Sequence, residues 1–319
     1  MLKKKRFSYF YILFCLAMLL ALCGCKQNSK PQQVAPTLQK EKTDTPKTLR
    51  PNEPRVLVPE AIGGAVEQNS AATIDYSNIN QGYIIGKYTG SAKKVKLAIT
   101  GPDNVRYQYV MDGSMQVFPL TAGDGQYTVV VFENVVADQY STALSFVASA
   151  QLENEFLPYL YPNVYVNFNE NTRAVQVGQE VAKQAENDLD VVSNVYNYVM
   201  DLVEYDYDKS SWVEMGYAPS PDETMDSKKG ICFDYAALMA TMLRTQGIPT
   251  NLQVGWAGKI YHAWVNVYIE DIGWINGVIE FDGKNWKLMD PTFADGGKQS
   301  KEITDFINSG ANYQLKYKY

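Results

Sequence analysis

Three side chains far apart in the chain have the chemistry of a nucleophile, a base and an orienting acid: Cys232, His262 and Asp290. A thiolate attacks a carbonyl carbon and an adjacent imidazole moves the proton. A carboxylate on the far ring nitrogen then fixes the tautomer and steadies the imidazolium. Each residue alone has a plainer reading. Free cysteines are most often small buried hydrophobes, lone histidines are more often structural, and an aspartate before proline is an ordinary turn residue. Counting sharpens the picture, because His262 is the only histidine among 319 residues and any imidazole base has to be this one.

The cysteines thin out in the same way. Lys3, Lys4, Lys5 and Arg6 precede the apolar run from Phe10 to Leu22, which reads as the basic and apolar parts of a secretory signal, too short for a membrane span. The run ends in Leu22-Cys23-Gly24-Cys25, which resembles the lipobox of bacterial lipoproteins. The resemblance implies cleavage after residue 24 and acylation of Cys25, and two or more acyl chains anchor stably where one does not. The expected protein is extracytoplasmic and lipid-anchored to a bacterial cell membrane. Cys15 and Cys23 leave with the signal, so Cys232 becomes the one free thiol and no intramolecular disulfide is possible. A lone thiol in an exported protein is a liability unless it has a task. Losing the four basic residues takes the formal charge from −6 to −10, which argues against nucleic acid as a partner.

Elements must bring the three groups together. Lys228-Lys229-Gly230-Ile231-Cys232-Phe233-Asp234-Tyr235-Ala236 opens a helix that runs through Leu238, Met239, Met242 and Leu243 and stops at Gly247-Ile248-Pro249. Cys232 falls in its first turn, where open N–H groups and the helix dipole favour a thiolate. His262 lies in a strand-like segment whose alternation puts His262, Trp264, Asn266 and Tyr268 on one face. Trp286 to Asp290 reads as a short strand, ended because Pro291 cannot donate to a ladder. Upstream, Val191, Val195, Tyr198, Val199 and Leu202 form a core-facing stripe within a helical stretch from Ala174 to Tyr205.

The rest of the chain divides around these elements. Residues 1–24 are the expected signal. Residues 25–54 contain no aromatic and are rich in Lys, Gln, Thr, Pro and Asn, which predicts a disordered tether. Residues 55–150 alternate in short stretches, Val95–Ile99, Arg106–Met111, Gln116–Leu120, Tyr127–Glu133 and Ala143–Ala148, parted by turns such as Gly101-Pro102-Asp103-Asn104. This spacing predicts an all-β sandwich, immunoglobulin-like in architecture, serving as a spacer or binding module. Residues 151–173 form a Tyr- and Pro-containing connector, and 174–319 hold the chemistry-bearing groups.

Four motifs in order then resemble the transglutaminase-like superfamily: Gly230-Ile231-Cys232-Phe233-Asp234-Tyr235-Ala236, Leu243-Arg244-Thr245-Gln246-Gly247-Ile248-Pro249, His262-Ala263-Trp264 and Asp290-Pro291-Thr292. The resemblance implies an α+β papain-like domain in which Cys232, His262 and Asp290 form the catalytic triad. Cys232 would attack an amide to give a thioester, which water or an amine resolves. The Cys232 N–H would be one oxyanion donor, and Tyr207 and Trp212 are the aromatic candidates for a second. Asp234 is read as favouring the helix start and Tyr235 as packing. No acidic cluster suggests a calcium site, so neither metal nor cofactor is expected. The substrate class is protein or cell-wall peptide, with transglutaminase, peptidase and amidase outcomes sharing every residue named. The reading from another class is a catalytically idle surface-binding module.

Overall fold

The computed structural model describes residues 48–214, 216–275, 278–281, 286–289 and 313–319. The expected signal, the acylation site Cys25, most of the tether, and Asp290 lie outside them.

The N-terminal region is rich in β-structure. Its strands are β1 (Val66–Gln68), β2 (Ala72–Asp75), β3 (Tyr83–Tyr88), β4 (Val95–Thr100), β5 (Arg106–Met111), β6 (Gln116–Pro119), β7 (Gly125–Val136) and β8 (Gln139–Ala150). They form two four-stranded antiparallel sheets, ordered β1-β2-β3-β6 and β5-β4-β7-β8. Alternation sets the inner face: Tyr107, Tyr109 and Met111 of β5 are buried, as are Tyr127, Val129 and Val131 of β7, while Arg106, Gln108, Gln126 and Thr128 face out. The two inner faces meet where Tyr109 packs on Phe118, with ring centroids 5.1 Å apart. Between β4 and β5 the turn closes through Asn104, whose φ of 61° is in the left-handed region and whose N–H donates to the Gly101 carbonyl.

The remaining residues build a mixed α/β body. Its helices are α1 (Arg173–Ala182), α2 (Asp188–Leu202), α3 (Tyr207–Trp212), α4 (Pro221–Ser227) and α5 (Cys232–Thr245). Two short strands, β9 (Glu204–Tyr205) and β10 (Lys229–Gly230), pair in parallel beside α5. Beyond α5 come β11 (Thr250–Ala257), β12 (Ile260–Ile269), β13 (Gly273–Ile275), β14 (Val278–Phe281), β15 (Trp286–Met289) and β16 (Tyr313–Lys318). The main sheet is antiparallel and ordered β13-β12-β11-β16, with β14 and β15 pairing separately. Every residue of α5 from Asp234 to Thr245 is buried, which is the signature of a central helix and not of a one-faced surface helix. It packs on β11 and β12 and is flanked by α1, α2 and α4. At Gly178 on α1 an added Cβ would stand 3.2 Å from the Met242 Cβ, so glycine lets α1 lie close against α5.

Two expectations change. The helical stretch from Ala174 to Tyr205 is two helices, because Asn187 caps α2 by accepting from the Asp190 N–H at 3.0 Å and starts a new helix inside the periodic run. The last residues assigned to the tether are also held. The Arg50 N–H donates to the Ala185 carbonyl, the Arg50 side chain pairs with Asp188, and the Asn52 side chain donates to the Gln179 carbonyl. Backbone bonding orders this polar segment, and composition does not register such bonds.

The sandwich is welded to the mixed body by tyrosines. Tyr107 packs on Tyr317 at 5.4 Å and Tyr109 on Tyr319 at 6.0 Å, while Tyr165 of the connector touches Tyr109 at 5.7 Å, Tyr319 at 4.7 Å and Phe233 of α5 at 5.2 Å. The Thr121 hydroxyl adds a hydrogen bond to the Lys318 carbonyl at 2.9 Å. Residues 55–319 are therefore expected to unfold in one transition. All five tryptophans, Trp212, Trp256, Trp264, Trp274 and Trp286, lie outside the sandwich. Tryptophan fluorescence thus follows the mixed body while far-ultraviolet circular dichroism follows both, and their midpoints should coincide in urea. Two separated midpoints would show that the tyrosine interface does not couple the two parts.

Candidate active site

The nucleophile candidate owes its position to the start of α5. Ile231 is the extended residue before the helix, at φ −92° and ψ 174°. Its apolar side chain offers no acceptor to the first-turn N–H groups, where Ser, Thr, Asp or Asn would normally take one up. The Ile231 carbonyl takes up the Asp234 N–H at 2.9 Å. Asp234, one turn in, reaches back instead and accepts from the Ile231 N–H at 2.8 Å. Gly230 lets that loop close, since an added Cβ would stand 2.7 Å from the Asp234 Cβ. Cys232, the first helical residue, is half-buried and packs against the rim of the hydrophobic core.

The β9–β10 ladder sets what stands beside it. Tyr205 lies opposite Gly230, and the Asp206 N–H donates to the Gly230 carbonyl at 2.9 Å. Burial pushes the Tyr205 phenol up from its ordinary pKa, and the negative charge of a Cys232 thiolate pushes it further. Tyr261, at the start of β12, is raised by burial and then by Tyr317 and Cys232. Cys232 thus lies within electrostatic reach of one tyrosine on β9 and another on β12. Tyr207 sits edge-on to Tyr205 at 4.9 Å, and both Tyr207 and Trp212 are 64 % exposed on α3. Sequence reasoning named those two aromatics and passed over Tyr205. Its position is given by a two-residue ladder to a distant segment, for which the linear sequence has no signal.

His262 follows Tyr261 on β12, opposite Gly255 of β11. It is only 3 % exposed, with Trp264 stacked at 6.3 Å and Tyr313 of β16 at 6.5 Å. From His262 to Val267 the strand is buried on both faces, the pattern of an interior strand. Because α5 packs on β12, the cysteine-bearing helix and the histidine-bearing strand are in direct contact. Asp290 would directly follow β15 and lies outside the described residues. Among the described residues no group of three or more His, Cys, Asp or Glu side chains could hold a metal ion, and no helix is long and apolar enough to cross a membrane.

Residues 175–277 match the model of the transglutaminase-like superfamily. UPF0252 protein MJ1282 of Methanocaldococcus jannaschii is 36 % identical over 92 residues, 25 % of this chain and 26 % of that one. The chain therefore spans about a quarter of that relative's length. Among solved structures, similarity extends to a candidate cysteine protease from Cytophaga hutchinsonii, at 14 % identity and a TM-score of 0.36, covering 80 % of this chain and 73 % of that one. It extends also to red sea bream transglutaminase, at 15 % identity and a TM-score of 0.30, covering 73 % of this chain and 54 % of that one. The family match falls on the segment that holds both Cys232 and His262, and it identifies residues 175–277 as a transglutaminase-like superfamily domain.

Proposed function

We propose that the protein is a cell-envelope enzyme, anchored through acylated Cys25, that opens amide bonds of protein or cell-wall peptide by way of a thioester on Cys232. The observation that carries this reading is a half-buried thiol on the first residue of a helix buried from Asp234 onward, inside a transglutaminase-like domain. The Cys232 thiolate adds to the carboxamide carbon, and the C–N bond then breaks as the His262 imidazolium gives its proton to the leaving amine. Water or a second amine attacks the thioester, His262 takes up the proton, and the thiolate is released. Asp290 orients the imidazole. The Cys232 N–H stabilises the oxyanion, and for a side-chain donor Tyr205 is favoured over the exposed Tyr207 and Trp212 because it is partly buried and feels the charge of Cys232. The N-terminal sheets are read as an immunoglobulin-like sandwich that binds or spaces the substrate.

Mass spectrometry of the mature protein incubated with glutamine-containing peptides and a primary amine separates the outcomes. Amine incorporation with ammonia loss marks a transferase, deamidation alone an amidase, and backbone cleavage a peptidase. A complete absence of products across the library, with Cys232 never acylated, would favour a binding module without catalysis.

A further inference from the structure

Two residues beyond Cys232, a carboxylate is shut away from solvent. Asp234 is 0 % exposed, and a buried carboxylate so close would oppose a thiolate on the same turn of helix unless its charge were cancelled. One oxygen accepts from the Ile231 N–H and from the Lys209 ammonium, each at 2.8 Å, and the other accepts from the Tyr217 hydroxyl. The Lys209 ammonium also stands 4.3 Å from the centre of the Tyr217 ring, and only 18 % of its side chain is exposed. Lys209 comes from α3, whose capping residue Asp206 accepts from the Lys209 N–H at 2.8 Å and bonds through its own N–H to Gly230. Burial and the neighbouring carboxylate both hold the Tyr217 phenol well above its ordinary pKa, so it stays a neutral donor. The cluster joins the nucleophile helix, α3 and the loop after α3 around a single negative charge.

We infer that Lys209 is a positioning residue for the reaction: by neutralising buried Asp234 it allows negative charge to reside on Cys232, and by the same bond it holds α3 against the first turn of α5. The inference rests on Cys232 being the reacting thiol. Among the described residues Tyr205 of β9 and Tyr261 of β12 also bear on the sulfur, and neither replaces the cation. Among the described residues Lys209 is the cation bound to Asp234.

The test is the rate of Cys232 alkylation by iodoacetamide against pH, read on the mature protein. Lys209→Met should move the midpoint up by about one pH unit, making alkylation below the midpoint about tenfold slower. Tyr217→Phe, which removes a hydrogen bond from the same carboxylate but no charge, should leave the midpoint close to wild type. The double variant Lys209→Met/Asp234→Asn should restore it, because removing both charges rebalances the site. A purely structural clamp predicts the opposite, with the double variant no better than the single one. If Lys209→Met does not fold, Lys209→Gln makes the same change in charge while keeping a donor, and failure of both to fold would make Lys209 an anchor of the fold and overturn the inference. An ordinary wild-type midpoint near the free-thiol value of about 8.5 would instead undercut Cys232 as nucleophile. A low wild-type midpoint that Lys209→Met leaves in place would defeat only the role given to Lys209.

Discussion

Cys232→Ala should abolish both acyl transfer and amide hydrolysis, with a loss of about 10⁴-fold or more in kcat, because a nucleophile that forms the covalent intermediate has no substitute. His262→Gln should cost a comparable amount, and the two changes together little more than either alone, since the pair acts as a unit. The two variants should differ in their thermal behaviour. Cys232 is half-buried at the core rim, so Cys232→Ala should melt close to wild type, whereas His262, packed near Trp264 and Tyr313, should lose some stability on substitution. The check is ammonia release with a glutamine peptide, paired with mass detection of the thioester. Retention of more than about one tenth of wild-type activity by Cys232→Ala would remove the sulfur from the mechanism.

The largest effect on stability is expected at Arg244. This guanidinium is 1 % exposed, and it donates to the Thr250 carbonyl at 2.9 Å, the Tyr161 carbonyl at 2.6 Å and the Tyr319 carbonyl at 2.8 Å. Those acceptors belong to the first residue of β11, the connector and the residue after β16, so one side chain from the last turn of α5 fastens three segments. Burial lowers its pKa to about 9, which leaves it cationic at neutral pH. Its place near the helix C-terminus, where the dipole is negative, favours that charge. Arg244→Met should take a charged donor from three carbonyls, of which that of Tyr319 keeps the Leu252 N–H at 3.0 Å, and cost about 3–5 kcal/mol, a fall on the order of 10 °C in Tm for a body of this size. Arg244→Lys should recover only part of the loss, because one ammonium on a flexible stem cannot serve three acceptors spread over the fork. Urea unfolding of the three proteins decides it, and a cost below about 1 kcal/mol for Arg244→Met would mean that water or rearrangement satisfies the carbonyls.

Arg244 also shows what can be read from a linear chain. It was visible as part of Leu243-Arg244-Thr245-Gln246-Gly247-Ile248-Pro249, yet the motif does not say that the guanidinium is enclosed or what it grips. Period-two alternation made β4, β5, β6 and β7 legible, and the stop at Gly247-Ile248-Pro249 marked the end of α5, because these are local properties of backbone and side chain. The strands before Val95 carry no such signal. Tyr83, Ile84 and Ile85 of β3 are buried on both faces, so polarity does not alternate there. Short α3 and α4 have six and seven residues, too few to show a period, although Ser220-Pro221 is a capping residue followed by proline. At the candidate site, residue counts and motif order single out Cys232 and His262. They do not single out Tyr205, Lys209 and Tyr217, because each is brought to the sulfur or its helix by a pairing across more than a dozen residues.

The tyrosine seam between the sandwich and the mixed body has a further meaning. Tyr165 touches a ring in each part and also Phe233, the neighbour of Cys232. Aromatic edges and faces interlock in a few orientations only, so the sandwich is no swinging arm. The N-terminal sheets therefore keep a set offset from the helix that starts at Cys232, and a change of length or packing in one part is felt as a displacement in the other.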